Sequence, residues 1–463
     1  MAPLEFLPIT NCDGRNNKMK MRGSIVATGI LAATTLFGGT ISQAQTAGSL
    51  DDTFGSNGTV TTSLGTNISG IPLAAFEESN GDLLVVVNAF VSNSTAFGGD
   101  VELLRYTSAG KLDTTFGNGG VVVTAIPNIF NPTGGVALDS EGNIVIAGTA
   151  APNSSSNETG FGVARLTPNG QLDTTFGSGG TVTTFFGNEN ERASALLVQP
   201  NGKILIAGIE PSLSRKSPVQ TALVRYNSNG SLDQTFGSGG IEQAATAIAG
   251  PETLALLSNG DYLALAGSAE AEFSSTGTPV STFTESSPTT TSGFSTTVLQ
   301  SNGDILVASS VAPPAGSAPT SAGLNKRSTF LNVARFTEND DSDSTFTTTT
   351  FPFIPLTSTN FTTVNESTAG GVAVQSNGMI VVAGGIGGTG SNAPGLLGLA
   401  RLNADGALDT TFGSGGTTSN SVASFGLVLL IQNDGNIVVV GPVAQSGSSE
   451  LAPSIVVERF LSN

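Results

Sequence analysis

Five arginines in this chain are each followed, eight residues later, by an aspartate: Arg105 and Asp113, Arg165 and Asp173, Arg225 and Asp233, Arg335 and Asp343, Arg401 and Asp409. A sixth pair, Arg459 and Asp51, completes the series if the two ends of the chain meet. A charged pair repeated at fixed spacing serves either one functional site per repeat or one structural salt bridge per repeat. The place between Asp233 and Arg335 discriminates, because there Glu272 and Val280 replace both members at once. Removing one member of a buried pair strands a charge at about 3–5 kcal/mol, whereas replacing both is nearly neutral. Joint loss marks residues that pair, so these charges are read as one structural salt bridge per repeat.

Other instruments of catalysis are few. The chain has no His and no Trp, and its single cysteine is Cys12. Ser-His-Asp and Cys-His arrangements are therefore ruled out beyond the leader, as are imidazole and thiolate zinc sites. Paired carboxylates remain, the arrangement used in glycoside hydrolysis. Glu189 and Glu191, beside Arg192 and after Phe185 and Phe186, form the densest cluster outside the repeats and are the candidate acid–base residues. A solvated loop is the plainer reading, since sugar sites favour exposed aromatic rings and Tyr106, Tyr226 and Tyr262 all lie in repeat strands. Asp340, Asp341 and Asp343, with Asn339, are candidate Ca²⁺ ligands. They lack EF-hand spacing, and the plainer reading is an acidic turn without a cofactor. The recurring Gly-Gly has no following helix or Lys with which to cradle a phosphate.

The elements that position these residues are set by a recurring phrase, Leu-Asp-Thr-Thr-Phe-Gly followed by Gly-Gly. It stands at Leu112–Gly117, Leu172–Gly177 and Leu408–Gly413, with variants at Leu50–Gly55 and Leu232–Gly237. Each copy belongs to a longer unit with short Val-, Ile- and Leu-rich runs bounded by Asn-Gly. Such runs are strands, and Asn-Gly suits the positive φ of type I′ hairpin turns. The first turn of each unit falls at Gly81, Gly142, Gly202, Gly260, Gly303, Gly378 and Gly435, which makes seven units. An Arg stands eleven residues before the Phe, as in Arg225 and Phe236, and the fourth unit keeps that spacing with Glu272 and Phe283. The repeated Phe reads as core. The last unit ends at Arg459 and Phe460 without a fourth strand, while the chain after residue 44 opens with an orphan one, read as Ser49–Gly55.

Complementary ends predict an all-β, seven-bladed β-propeller of four-stranded antiparallel blades, its last blade closed by the N-terminal strand. Closure hides edges that would otherwise pair with other chains. A β-solenoid is the alternative. The unit resembles the delta-60 repeat of bacterial surface and secreted proteins, through Leu196–Gly208 with Ala222–Gly240 and through Gly371–Gly384 with Leu399–Gly416. The resemblance covers residues 48–460, with departures in the fourth unit and partly in the fifth. It implies a propeller-like fold. It implies no general activity and transfers no catalytic residue.

Residues 1–44 are read as an export signal. Arg15, Lys18, Lys20 and Arg22 precede the apolar run Ser24–Phe37, which is too short to span a membrane, and Ser42-Gln43-Ala44 supplies a cleavage site. Met19 or Met21 is an alternative start, with residues 1–18 outside the true protein. Residues 45–463 form one domain of seven repeats. The leader's four basic residues stand against Glu5 and Asp13, so the remainder holds 13 basic and 33 acidic residues, a formal charge of −20. That charge disfavours nucleic acid and anionic membranes.

The variable connections join strands two to three and four to the next unit, so they share one face, opposite the Asn-Gly turns. Variable loops on a rigid repeat scaffold are where function concentrates. The departures gather in units four to six, at Val311–Ser328 and Thr347–Ser367, the latter with Phe351 and Phe353. The expected role is non-catalytic binding or scaffolding in the periplasm, at the cell surface or outside. The expected state is a monomer that meets a protein or polysaccharide through the loop face of blades four to six. A carboxylate-based polysaccharide hydrolase or lyase and a structural stalk or adhesin are the alternatives.

Overall fold

The computed structural model describes residues 45–463 except 66–67, 92–99, 133, 154–155, 157, 190, 211–219, 245–247, 249–250, 252, 267–268, 285–289, 312–329, 338–341, 352–363, 389–395, 421–427 and 444–453. These residues form a seven-bladed propeller of antiparallel sheets, and no helix occurs among them. Blade three shows the plan: Arg192–Val198, Ile204–Glu210, Gln220–Tyr226 and Ile241–Ala244 follow one another as neighbours. Blade two differs only in its first strand, which is broken into Ile129–Asn131 and Val136–Leu138. The first strands of successive blades touch one another in an unbroken cycle.

Blade seven is made of both ends of the chain. Val428–Ile431, Ile437–Pro442 and Ser454–Phe460 supply three strands, and Thr59–Ser63 supplies the fourth. Thr59 pairs with Glu458 and Ser63 with Ser454. The ring closes through the N-terminal strand, but that strand is not Ser49–Gly55. In every unit that carries it, the phrase folds as a turn, and the fourth strand begins after a later glycine, Gly58 here and Gly120, Gly180, Gly240 and Gly416 in the others. Asp113 shows why: its Oδ1 accepts both the amide of Thr115, at 2.9 Å, and its hydroxyl, at 2.7 Å. A side chain that captures backbone two residues on competes with a strand ladder.

The Asn-Gly hairpins also depart from type I′. Gly202 has φ +80°, and the positive-φ residues other than glycine are Asn57 and Asn128 among those described. Type I′ needs two such residues, so these are longer turns with glycine alone in the left-handed region. The Asn contributes its side chain instead: Asn201 Oδ1 accepts the Lys203 amide at 3.1 Å.

Middle strands are sandwiched between neighbouring blades, which is why they read as continuous apolar runs. Ile144–Ala150 is buried throughout. The described core falls into seven clusters, one for each joint between blades. Six of them each contain ten or more buried residues, and that between blades four and five contains five.

Candidate functional site

The recurring polar residues act at the joints. Arg225 Nε lies 2.7 Å from Asp233 Oδ2, and Arg401 and Arg459 reach Asp409 and Asp51 at 2.7 Å. Arg105, Arg165 and Arg335 reach Asp113, Asp173 and Asp343 at the same distance. Each guanidinium also lies over the Phe of its phrase, at 4.4–4.8 Å from the ring centre. Phe116, Phe176, Phe236, Phe346, Phe412 and Phe54 sit in six different joint clusters. The guanidinium then reaches the following blade. Arg225 Nη1 donates to the Ser275 carbonyl at 2.6 Å, Arg165 to Ser228 at 2.6 Å, Arg335 to Ala404 at 2.9 Å and Arg459 to Ser108 at 2.7 Å, while Arg401 donates to Ser462. One arginine thus joins an ion pair, a cation–π contact and an inter-blade hydrogen bond.

The aspartates are tuned accordingly. Burial alone would raise Asp233, but hydrogen bonds from Lys203 and Thr235 and the charge of Arg225 outweigh it and hold its carboxyl below the usual range. Hydrogen bonds from Thr345, with Arg335 beside it, lower Asp343 likewise.

A second fitting was not recognised in the sequence. The residue two places before the Asn-Gly turn is often glutamine, and its Nε2 also crosses the joint. Gln199 donates to the Tyr262 hydroxyl at 2.8 Å, Gln375 to the Gly435 carbonyl at 2.9 Å and Gln432 to Glu77 at 3.2 Å. Its signal was available as Gln199, Gln300, Gln375 and Gln432 at equivalent places.

The joint between blades four and five lacks these fittings. The hairpin of blade four runs from Ala269–Phe273 through residues 274–278 directly into Pro279–Thr284, with no phrase between. Phe283 therefore lies in a strand, paired with Glu270, and its spacing from Glu272 does not make it a counterpart of Phe236. Glu272 stands where the other blades have Arg. Glu270 stands where they have Leu103, Val163, Leu223, Val333, Leu399 and Val457, all fully buried. Leu257 stands where Gln199 does. The result is a cleft of about 940 Å³ at the tight-turn rim, with Glu270 and Glu272 on one side and Asn302 and Ile305 on the other. Glu272 accepts one hydrogen bond from the Ser281 hydroxyl at 3.3 Å. A smaller cleft of about 340 Å³ lies between blades three and four, beside Lys203, Arg225 and Tyr262.

The candidate catalytic residues Glu189 and Glu191 stand at the end of one strand, Thr181–Glu189, and just before the next, Arg192–Val198. Glu191 is fully buried and accepts from the Phe186 amide at 3.4 Å, while Glu189 lies in Thr181–Glu189, its backbone paired with Glu158. Of the candidate calcium ligands, Asp340 and Asp341 lie outside the described residues. Asp343 gives Oδ2 to Arg335 and Oδ1 to Thr345. No group of three His, Cys, Asp or Glu placed to hold a metal occurs among the described residues. Most of the loop face expected of blades five and six, including residues 312–329 and Phe353, lies outside them too. Phe351 is buried in the core between those blades.

Comparison with known proteins agrees with the architecture. A family model described as "Domain of unknown function (DUF5122) beta-propeller" matches residues 140–176, 199–236 and 375–412. Each match runs from the first tight turn of a blade through its recurring Phe, and the chain is a propeller repeat protein. Among solved structures, a Penicillium chrysogenum alpha-L-arabinanase is similar at 13% identity and a TM-score of 0.38, over 87% of this chain and 98% of that one. The polysaccharide lyase Uly1 is similar at 9% identity and a TM-score of 0.43, over 84% and 90%. A Bacteroides caccae protein of unknown function is similar at 13% identity and a TM-score of 0.35, over 76% and 98%. At these values the likenesses bear on neither activity nor ligand. No curated protein matches the chain.

Proposed function

We propose that this chain is an exported, non-catalytic binding or scaffold propeller of the delta-60 repeat kind, monomeric, with a protein or polysaccharide as its partner. One observation carries the reading: the connections are divided between two rims. On one rim the hairpins are short, closed by backbone bonds such as Gly202 to Gln199 at 2.8 Å, and tied to the next blade by Arg and Gln. On the other, where second strands end and third strands begin, the strands are separated in the sequence by two residues between Ala266 and Ala269 in blade four and by eighteen between Val311 and Phe330 in blade five. A fixed rim with a variable one opposite suits recognition by loops held on a rigid frame. The acidic balance favours neutral or basic partners over nucleic acid and anionic membranes.

The test uses the full chain and a variant in which residues 312–329 are replaced by a short Gly-Ser linker. Both are immobilised and presented with polysaccharides and with proteins secreted by the source cells. Binding by the full chain that is lost in a folded variant supports the reading. Release of sugar fragments, or binding indifferent to the deletion, refutes it. Sequencing the N-terminus of protein recovered outside the cytoplasm tests cleavage after Ala44.

A further inference from the structure

An asparagine followed by glycine is open to attack on its side-chain carbonyl by the next backbone nitrogen, since glycine has no Cβ to obstruct the approach. The chain holds nine such pairs. We propose that one of them, Asn118 and Gly119 on the tight-turn rim of blade one, is a site of spontaneous deamidation, and that the fold protects the other eight. The site lies on the tight-turn rim, so the inference goes beyond the loop-face reading and does not rest on it.

The glycine amide discriminates among them. Ring closure needs that nitrogen to lose its proton, and an N–H held by a carbonyl must first give up its hydrogen bond. In eight pairs the N–H closes a turn. Gly81, Gly170, Gly202, Gly230, Gly260, Gly303 and Gly378 each donate to the carbonyl three residues back, at 2.8–3.0 Å, and Gly58 donates to Phe54 at 2.8 Å. The Gly119 N–H donates to none of the described residues, although its neighbours are held: Asn118 donates to the Val121 carbonyl and Gly120 to that of Phe116, both at 2.8 Å. The side chains divide in the same way. Asn80, Asn201, Asn229, Asn259, Asn302 and Asn377 each give their side-chain carbonyl to the amide two residues on. That of Asn118 accepts from none of the described residues. Asn118 and Gly119 are both exposed, and a Cβ at Gly119 would meet nothing within 4 Å, so a ring forms there in open space. Comparison with the other blades isolates the position. The N–H groups of Gly179, Gly239 and Gly415 likewise donate to none of the described residues, but Ser178, Ser238 and Ser414 precede them and offer no side-chain carbonyl.

The co-reactants are hydroxide and water. Hydroxide takes the Gly119 amide proton, the nitrogen bonds to Asn118 Cγ, and the Cγ–Nδ2 bond breaks to release ammonia, leaving a succinimide. Water then opens the ring. Cleavage at Cγ leaves an aspartyl residue, and cleavage at the main-chain carbonyl leaves an isoaspartyl one, with the chain routed through the side chain. The net change turns an amide and a water into a carboxylate and an ammonium ion, with no oxidation or reduction. The isoaspartyl product lengthens the loop between Phe116, a core residue of its joint, and the outer strand Val121–Ala125.

The test holds the full native chain at pH 8 in isotopically labelled water, digests it in unlabelled acid and reads each peptide by mass spectrometry, with a urea-unfolded sample in parallel. In the native chain, labelled acid should form at position 118 at least fivefold faster than at any of the other eight pairs. In the unfolded chain the nine rates should draw together. Fivefold corresponds to about 1 kcal/mol, the net worth of one backbone hydrogen bond. A carboxyl methyltransferase specific for isoaspartyl groups should methylate the aged chain at this position. Asn118→Ser, which installs the residue that blades two, three and six carry, should remove both signals. A native rate at position 118 no faster than at position 201, or methylation undiminished in Asn118→Ser, overturns the proposal.

Discussion

Replacing Glu458 by Gln isolates one buried carboxyl whose titration is written into the stability of the ring. Glu458 stands in Ser454–Phe460 with no exposed surface, where the other blades have Leu104, Ala164, Val224, Ala271, Ala334 and Ala400. Its Oε1 accepts from Asn420 Nδ2 at 2.7 Å, and its Oε2 is buried without a partner. Burial pushes its pKa up from 4.5 to about 7. A raised acid favours the folded state while it stays protonated, so its stabilising effect is full below 4.5 and is lost as pH rises through 7. A shift of that size corresponds to about 3 kcal/mol, most of which is lost between pH 5 and 8. Glutamine keeps the acceptor for Asn420 and does not titrate.

Urea unfolding followed by far-ultraviolet circular dichroism at pH 5, 6, 7 and 8 reads the effect, staying above the isoelectric point near 4.2. The native chain should lose stability across this range, and Glu458→Gln should lose about 2–3 kcal/mol less of it. Glu102, also pushed by burial to about 7, lies in a different joint, and Glu102→Gln should add its own flattening independently. The aspartates of the latches act in the opposite sense. Their lowered values give stability that is present above 3.8 and lost in more acid solution. A stability maximum near pH 5 follows. An unchanged pH slope in Glu458→Gln would refute the argument that this carboxyl is held neutral by its burial.

Three further outcomes follow from the joints. In an Arg401→Met and Asp409→Leu cycle, each single change should cost about 3–5 kcal/mol and the pair far less than their sum, read by the same urea unfolding. Gly177→Ala should cost more than about 1 kcal/mol, because φ is +54° and a Cβ there would lie 2.4 Å from the Thr181 carbonyl oxygen; thermal unfolding checks it. Removing residues 45–63 takes away Asp51, Phe54 and the outer strand of blade seven, leaving Ser454–Phe460 as an open edge. Self-association should then appear in sedimentation velocity, where the intact chain stays a single species.

What could be read from the sequence divides along physical lines. The count of blades and the closure by both ends were legible, because they rest on long-range order in the repeat and on one pair of complementary fragments. The meeting of Arg with Asp was legible because two charges lost together betray a shared partner. The fourth strand was misplaced because Leu-Asp-Thr-Thr-Phe has the apolar residues of a strand, while its fate is decided by one aspartate oxygen that captures Thr two residues on. The turn type was misread for a related reason: Asn201 contributes a hydrogen-bonding side chain and leaves the positive φ to Gly202.

The cleft between blades four and five was the least legible feature, since it is made of omissions. Glu272, Glu270 and Leu257 are unremarkable singly, and Phe283 preserved a spacing that its place in a strand empties of meaning. Only when six joints are seen to hold the same arginine, aromatic ring and aspartate does the seventh stand out as the one built differently among the described residues. In a protein whose recurring charges are committed to holding blades together, the place where that commitment is withdrawn is the place free to evolve another use.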